Sequence, residues 1–246
     1  MDRALYIGMT GASQILQAQA VTAQNLANVS TDGFRADLFS FTATPIEGPG
    51  YATRINAVAQ SSGFSAATGA VSQNGNPLSV SIRGNGYLAV QAKDGSEAYT
   101  RAGDLHLTPD GTLVSATGLP VLSDGGQISI PPSDSIAIGA DGTITSVPQG
   151  VGAKGAGPVG RLKLVNPPAT QLAKGADGLL RLKNGTTAPV DSTVQVQSGS
   201  VESSNVNAPH EMVEMIQLSR LFEMQTRLIN STDQNEQTSQ KLLSLS

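Results

Sequence analysis

The side chains best suited to chemistry are few. Only two histidines, His106 and His210, occur in 246 residues, and cysteine is absent. His106 falls in a strand-like alternation and His210 in the first turn of a predicted helix, settings that suit solvated or hydrogen-bonded histidines. A nucleophilic hydrolase would need a serine elbow, a metallohydrolase an H-x-x-x-H pair, and a nucleotide site a P-loop; the chain has none of these. Gly84-Asn85-Gly86 begins like a dinucleotide fingerprint, but Ala89 holds the third glycine position. Asp-Gly pairs recur at 32, 94, 110, 124, 141 and 177. Without G-G-x-G-x-D repeats they suggest hairpin turns rather than calcium loops. No catalytic set, cofactor site, metal site or small-molecule substrate follows, and the chain reads as a non-enzyme.

Composition narrows the class. The formal charge of −4 argues against nucleic acid as a partner, which would select a basic face. Only 14% of residues are charged, well under the usual quarter, and 39% are hydrophobic, with 27 Gly, 13 Pro and no Trp. No stretch approaches the ~20 apolar residues of a membrane span, so membrane insertion is not expected. The start of the chain lacks a continuous apolar run and a small-residue cleavage site. Export, if it occurs, is expected without a cleaved signal peptide.

The elements that must position any functional surface begin with a helix. Residues 4–31 contain no charge. Leu5, Met9, Ala12, Leu16, Gln19, Ala23 and Leu26 are spaced 4-3-4-3-4-3, a heptad seam with one polar member. The far side carries Gln14, Gln17, Gln24 and Asn25 among Gly8, Gly11, Ala18, Ala20 and Ala27. A solvated helix usually shows Lys and Glu; amides and methyls instead suit close packing on several sides within an assembly. A second helix opens at Ala208-Pro209, with Pro well placed in a first turn. It carries Met212, Met215, Ile216, Leu218, Leu221, Phe222, Leu228 and Ile229. Residues 230–241 contain no apolar residue, and Leu242, Leu243 and Leu245 follow, so the tail is expected to dock elsewhere or to fray.

Between the helices the hydrophobic period changes to 2. Leu78, Val80 and Ile82, then Leu88 and Val90, Leu105 and Leu107, Ile128 and Ile130, Ile136 and Ile138, and Leu162 and Leu164 predict short strands joined by hairpins. The expected fold is mainly β with terminal α: a discontinuous coiled coil of N- and C-terminal helices plus a central antiparallel β domain, a sandwich or open barrel. The predicted divisions are an N-terminal helix at 1–33, an extended connector at 34–76, a β-rich domain at 77–190, and a connector with the C-terminal helix at 191–246. GVGAKGAGPVG, 150–160, is expected to be a flexible loop.

Three patterns then combine: NLANVSTDGF closing the first helix, PLSVSIRGNGYLAVQ with YTRAGDLHLTPDGTLVSATGLPVL opening the β region, and SGSVESSNVNAPHEMVEMIQLSRLFEMQTRLINSTD opening the last helix. In this order the chain resembles the axial proteins of the bacterial flagellum, the rod and hook family. MDRALYIGM, the short connector and the modest length are most similar to its proximal rod members, with the distal rod and hook types as the near alternative. The resemblance implies a coiled coil of the terminal helices lining the inner tube of a helical assembly, with the β domain outside. It implies other rod proteins, proximal and distal, and the flagellar type III export apparatus as partners, and a periplasmic rod of the basal body as the location. Carried over by position, one signature falls on Asn25, Leu26, Ala27, Asn28, Thr31, Gly33 and Phe34. The other falls on Gly199, Glu202, Ser204, Asn205, Val206, Met212, Met215, Arg220, Phe222, Glu223 and Asp233. Tyr87-Leu88 departs from a pair of Phe frequent in the family, and Ala102 from a frequent Asp.

The expected assembly interface is therefore Leu5, Met9, Ala12, Leu16, Ala23, Asn25, Leu26, Asn28, Gly33, Phe34, Met212, Met215, Leu218, Arg220, Phe222 and Ile229. The terminal helices are expected to order when neighbours supply the missing surface, and the assembly to transmit torque as a shaft. A Gly33→Val change is expected to impair assembly more than it unfolds the β domain. A secreted β-rich binding module and a wall-cleaving hydrolase are the rival classes. The first does not explain two charge-poor terminal helices, and the second lacks a nucleophile–base pair.

Overall fold

The structure is a computed structural model and describes residues 2–45, 55–150 and 155–244. The chain divides into two compact units. One comprises Met1–Ala27, Asp37–Gly63 and Asn207–Ser246, the other Asn28–Ala36 and Phe64–Val206.

The first unit is built on helices α1, Asp2–Ala27, and α2, Ala208–Ser244. α1 is rich in Ala, Leu and Gln, good helix formers, and has no proline. α2 starts where Asn207 caps it: the Asn207 side-chain oxygen accepts from the His210 N–H at 3.1 Å, with Pro209 lying in the donor-poor first turn. The helices run antiparallel, since Gly8 meets Gln225 and Ile229 while Asn25 meets Glu211. Strand β1, Asp37–Pro45, pairs with β2, Ile55–Phe64. β1 lies beside α1, and Gln14 accepts from the Ala59 N–H at 2.7 Å. The stretch expected to be an extended connector with some strand thus contributes a two-stranded sheet to the helical unit. Where the tail was expected to dock elsewhere or to fray, α2 runs as helix through the apolar-free stretch, passing the start of α1 by about ten residues, roughly 15 Å. The side chains of Leu242, Leu243 and Leu245 lie outside the described residues.

The second unit is mainly β, with a short 3-10 helix at Ala169–Gln171. Its strands are β3 (Val71–Gln73), β4 (Val80–Arg83), β5 (Tyr87–Gln91), β6 (Glu97–Thr100), β7 (Leu105–Leu107), β8 (Leu113–Ser115), β9 (Leu122–Ser123), β10 (Gly126–Gln127), β11 (Ser133–Ile138), β12 (Thr143–Pro148), β13 (Gly157–Arg161), β14 (Leu164–Val165), β15 (Leu172–Lys174), β16 (Leu180–Leu182), β17 (Gln195–Ser198) and β18 (Ser200–Glu202). The largest sheet is antiparallel with order β14-β5-β6-β16-β15. Smaller sheets of two or three strands surround it rather than closing into one barrel. β5 explains why YLAVQ is almost uniformly apolar. Leu88 and Val90 enter one core with Leu105, Leu113 and Ile144, while Tyr87 and Ala89 enter a second with Tyr99 and Leu180. A strand buried on both faces does not alternate. Each fully buried Leu or Ile contributes about 1.5–3 kcal/mol.

Two expectations need correction here. The glycine-rich loop ends at Gly157, where β13 begins and pairs with β12; a register shift at Ile144/Thr145 lets Pro158 join the ladder. Residues 151–154 of that loop lie outside the described residues. The stretch assigned to a C-terminal connector contains β17 and β18, which pair with β4 and β3. Gly199, at φ +76°, bends the chain between them, and so short a strand as SVE is hidden from a period count.

Candidate assembly interface

The surface of α1 is divided into rows by helical geometry. The row facing α2 is Gly8, Gly11, Ile15, Ala18, Thr22 and Asn25, with Gly8, Ala18, Thr22 and Asn25 buried. Each member lies one position before a member of the predicted seam, so the contact row is turned by one residue, about 100°. The reason is steric. A Cβ at Gly8 would stand 2.9 Å from Ile229 Cγ1, and the Gln225 amide reaches the Gly8 carbonyl at 3.1 Å. Only a row of small side chains lets α2 come this near. The facing row of α2 is Glu211, Met215, Leu218, Phe222, Gln225, Ile229 and Thr232, again at alternating spacings of four and three.

The predicted seam is thereby left open. Met9 is 54% exposed, Leu16 49% and the neighbouring Tyr6 68%, and Ala23 is exposed as well. Leu5, Ala12 and Leu26 are half-buried. α2 adds Met212, Val213, Ile216, Leu221, Met224 and Leu228 as exposed apolar side chains, together with Arg220. Apolar and uncovered, and on α1 also uncharged, these faces are suited to helix packing. Of the other predicted residues, Met215, Leu218, Phe222 and Ile229 serve the α1–α2 contact within the chain, and Asn28 is half-buried.

Asn25 is spent inside the chain. Its amide grips the main chain of Asp37 as a strand partner would: Asn25 Nδ2 donates to the Asp37 carbonyl at 3.0 Å, and the Asp37 N–H donates to Asn25 Oδ1 at 2.9 Å. Nδ2 also reaches Glu211 Oε1 at 3.3 Å. The side chain thus fixes where β1 begins relative to α1.

Gly33 and Phe34 belong to the β unit. The turn closes with bonds from Thr31 N–H to the Asn28 carbonyl and from Phe34 N–H to the Thr31 carbonyl. Gly33 takes φ +67° and donates its N–H to the Glu202 carbonyl at 2.7 Å. Burial first, and then Asp104, push the Asp32 carboxyl above its ordinary value. Phe34 is buried with the Lys174 ammonium 3.8 Å from its ring centre, a cation–π contact.

Beside this turn is a feature that the sequence analysis did not single out. The Glu202 carboxylate is 1% exposed and sits between two guanidiniums, Arg35 Nη2 at 2.8 Å and Arg101 Nη1 at 3.1 Å, each 3% exposed. Gly69 N–H adds a bond at 2.9 Å. Arg101 also donates to the carbonyls of Gly86 and Gly84, and Arg35 to that of Ala67. Burial above all holds the Arg101 pKa below the ordinary guanidinium range, with Arg35 adding to it and Glu202 opposing it. Segments 31–36, 84–101 and 199–205 meet at this carboxylate, and each overlaps one of the three sequence patterns. A Glu on one pattern, with Arg101 on a second and Arg35 one residue past the end of the first, was the available signal.

Comparisons with known proteins agree in three places along the chain. Residues 5–35 match the family described as Flagella basal body rod protein, residues 81–146 the Flagellar hook protein FlgE/F/G D1 domain, and residues 197–242 the Flagellar basal body rod FlgEFG protein C-terminal. The chain is 44% identical to the flagellar basal-body rod protein FlgF of Escherichia coli (strain K12), over the full length of both. It is 32% identical to FlgF of Caulobacter vibrioides over 94% of each chain. To the flagellar basal-body rod protein FlgG of Bacillus subtilis it is 31% identical, over 95% of this chain and 96% of that one.

Proposed function

The chain belongs to the flagellar basal-body rod protein family and is a structural subunit of the rod, and we propose that its two terminal helices form the coiled-coil element packing subunits into a helical shaft. A head-to-tail contact that does not close on itself generates such a filament. The position is the proximal rod, the neighbours are other rod proteins, and the work is transmission of motor torque. Passage through the flagellar type III export apparatus without signal cleavage, and a periplasmic location, belong to the same reading. The relatives bear the names of flagellar basal-body rod proteins, and the chain is read as having no catalytic activity.

One observation carries this. The apolar heptad row of α1 is not the row used by its own α2, and it remains exposed through Met9 and Leu16 in a helix with no charge between residues 4 and 31. The double variant M9E/L16E tests it. Both side chains are exposed, so the stability of the isolated chain should change by about 0.5 kcal/mol or less per site. A carboxylate buried between subunits would be unpaired and costly, so cells carrying the variant as their only copy should lose swimming and rods. Normal swimming would refute the assignment of this face.

A further inference from the structure

We propose that Glu211 is a proton-responsive latch on the α1–α2 pair, so that proton uptake at this carboxyl tightens the helices. This goes beyond the rod assignment and does not depend on it.

The geometry is that of a carboxylate placed with little support. Glu211 is 7% exposed and lies on the α2 row that faces α1. One oxygen, Oε1, accepts from Asn25 Nδ2 at 3.3 Å; the other, Oε2, is buried and has no hydrogen-bond partner among the described residues. The stretch of α1 beside Glu211 offers no cation, since residues 4–31 are uncharged. On β1 the charged group is Asp37, whose main chain Asn25 holds. On α2 the neighbours are Glu214, a like charge, and His210, which is exposed and 3.8 Å from Glu214. An ionised group in such a place is disfavoured by lost hydration. Burial, followed by Glu214, raises the Glu211 pKa above the ordinary 4.5, against opposing effects of Asn25 and His210.

The sign follows from proton linkage. A folded-state pKa above the unfolded value means that the folded pair binds more protons in the interval between the two. Stability is then gained as pH falls through the folded value, and the gain is complete below the unfolded one. Each unit of displacement is worth roughly tenfold in the unfolding constant. Asp141 and Asp191, in the β unit, are lowered chiefly by side-chain bonds from Thr143 and Thr193. They act in the opposite direction, so the helix signal must be followed on its own.

The experiment is denaturant unfolding of the full chain, followed by helical ellipticity, from about pH 8 down to about pH 5. The wild-type helix transition should move to higher denaturant on acidification. E211Q, which keeps the shape and an acceptor for Asn25, should be more stable than wild type at the alkaline end and should lose most of the rise. E214Q should give a smaller rise with its midpoint at lower pH, an effect that a purely structural role would not produce. A rise that survives E211Q, or a midpoint that E214Q leaves in place, overturns the proposal.

Discussion

Replacing Glu202 by Ala is expected to destabilise the β unit by about 3–5 kcal/mol, the range for breaking a buried ion pair by removing one partner. The reason lies in what remains. Arg35 and Arg101 are both buried, and neither can lose its proton to escape the cost, because a guanidinium stays charged under all ordinary conditions. Carbonyls of Ala67, Gly84 and Gly86 still accept from them, but a carbonyl dipole does not neutralise a full charge. The Gly69 N–H loses its acceptor as well. For a unit of this size the unfolding temperature should fall by roughly 10 °C. E202Q should be nearly as damaging, because an amide turns one donor end toward a guanidinium. The decisive measurement is coupling. Adding R35M to E202Q removes one of the stranded charges, so the double variant should be less destabilised than the sum of the single changes. Additive losses would mean that the carboxylate acts through packing alone.

This cluster marks the limit of what the sequence disclosed. The family was legible because NLANVSTDGF, RGNGY with YTRAG, and SGSVESSN stand in a fixed order, and the terminal helices were legible from period and capping. That the three patterns converge on one carboxylate was not, because a buried charge leaves no periodicity. Arg35 follows Phe34 in an unremarkable position, and only the fold shows its guanidinium turned inward. Which row of α1 meets α2 was not legible for a related reason. A heptad count finds the most apolar row, Leu5 to Leu26, whereas α2 chose the row of smallest side chains, since close approach of two backbones is set by Gly8 and Ala18. The two rows are adjacent on α1, and the difference separates contact within the chain from surface left over for neighbours. Strands β17 and β18 escaped because each is short and Gly199 divides them.

Gly33→Val, the second large effect, reverses the expectation formed from sequence. The turn is not a joint whose failure would be felt more in the assembled rod than in the β unit. A Cβ on Gly33 would stand 2.1 Å from Ala102 N and 2.2 Å from Arg101 C, both main-chain atoms that cannot rotate aside. The left-handed backbone, φ +67°, adds about 1–2 kcal/mol for any L side chain and more for a β-branched one. Overpacking against the main chain adds about 1–3 kcal/mol. Relief would require the turn to lift away from Arg101. That motion breaks the Gly33 N–H bond to the Glu202 carbonyl and disturbs the charge cluster beside it. The β unit itself should therefore lose roughly 3 kcal/mol or more, visible in the isolated chain as an earlier unfolding transition of the buried tyrosines Tyr87 and Tyr99. Gly33→Ala should show most of the same loss, since the collision begins at Cβ. If either variant unfolds like wild type yet fails to enter rods, the turn acts at the subunit contact after all and the packing against Arg101 and Ala102 is not limiting.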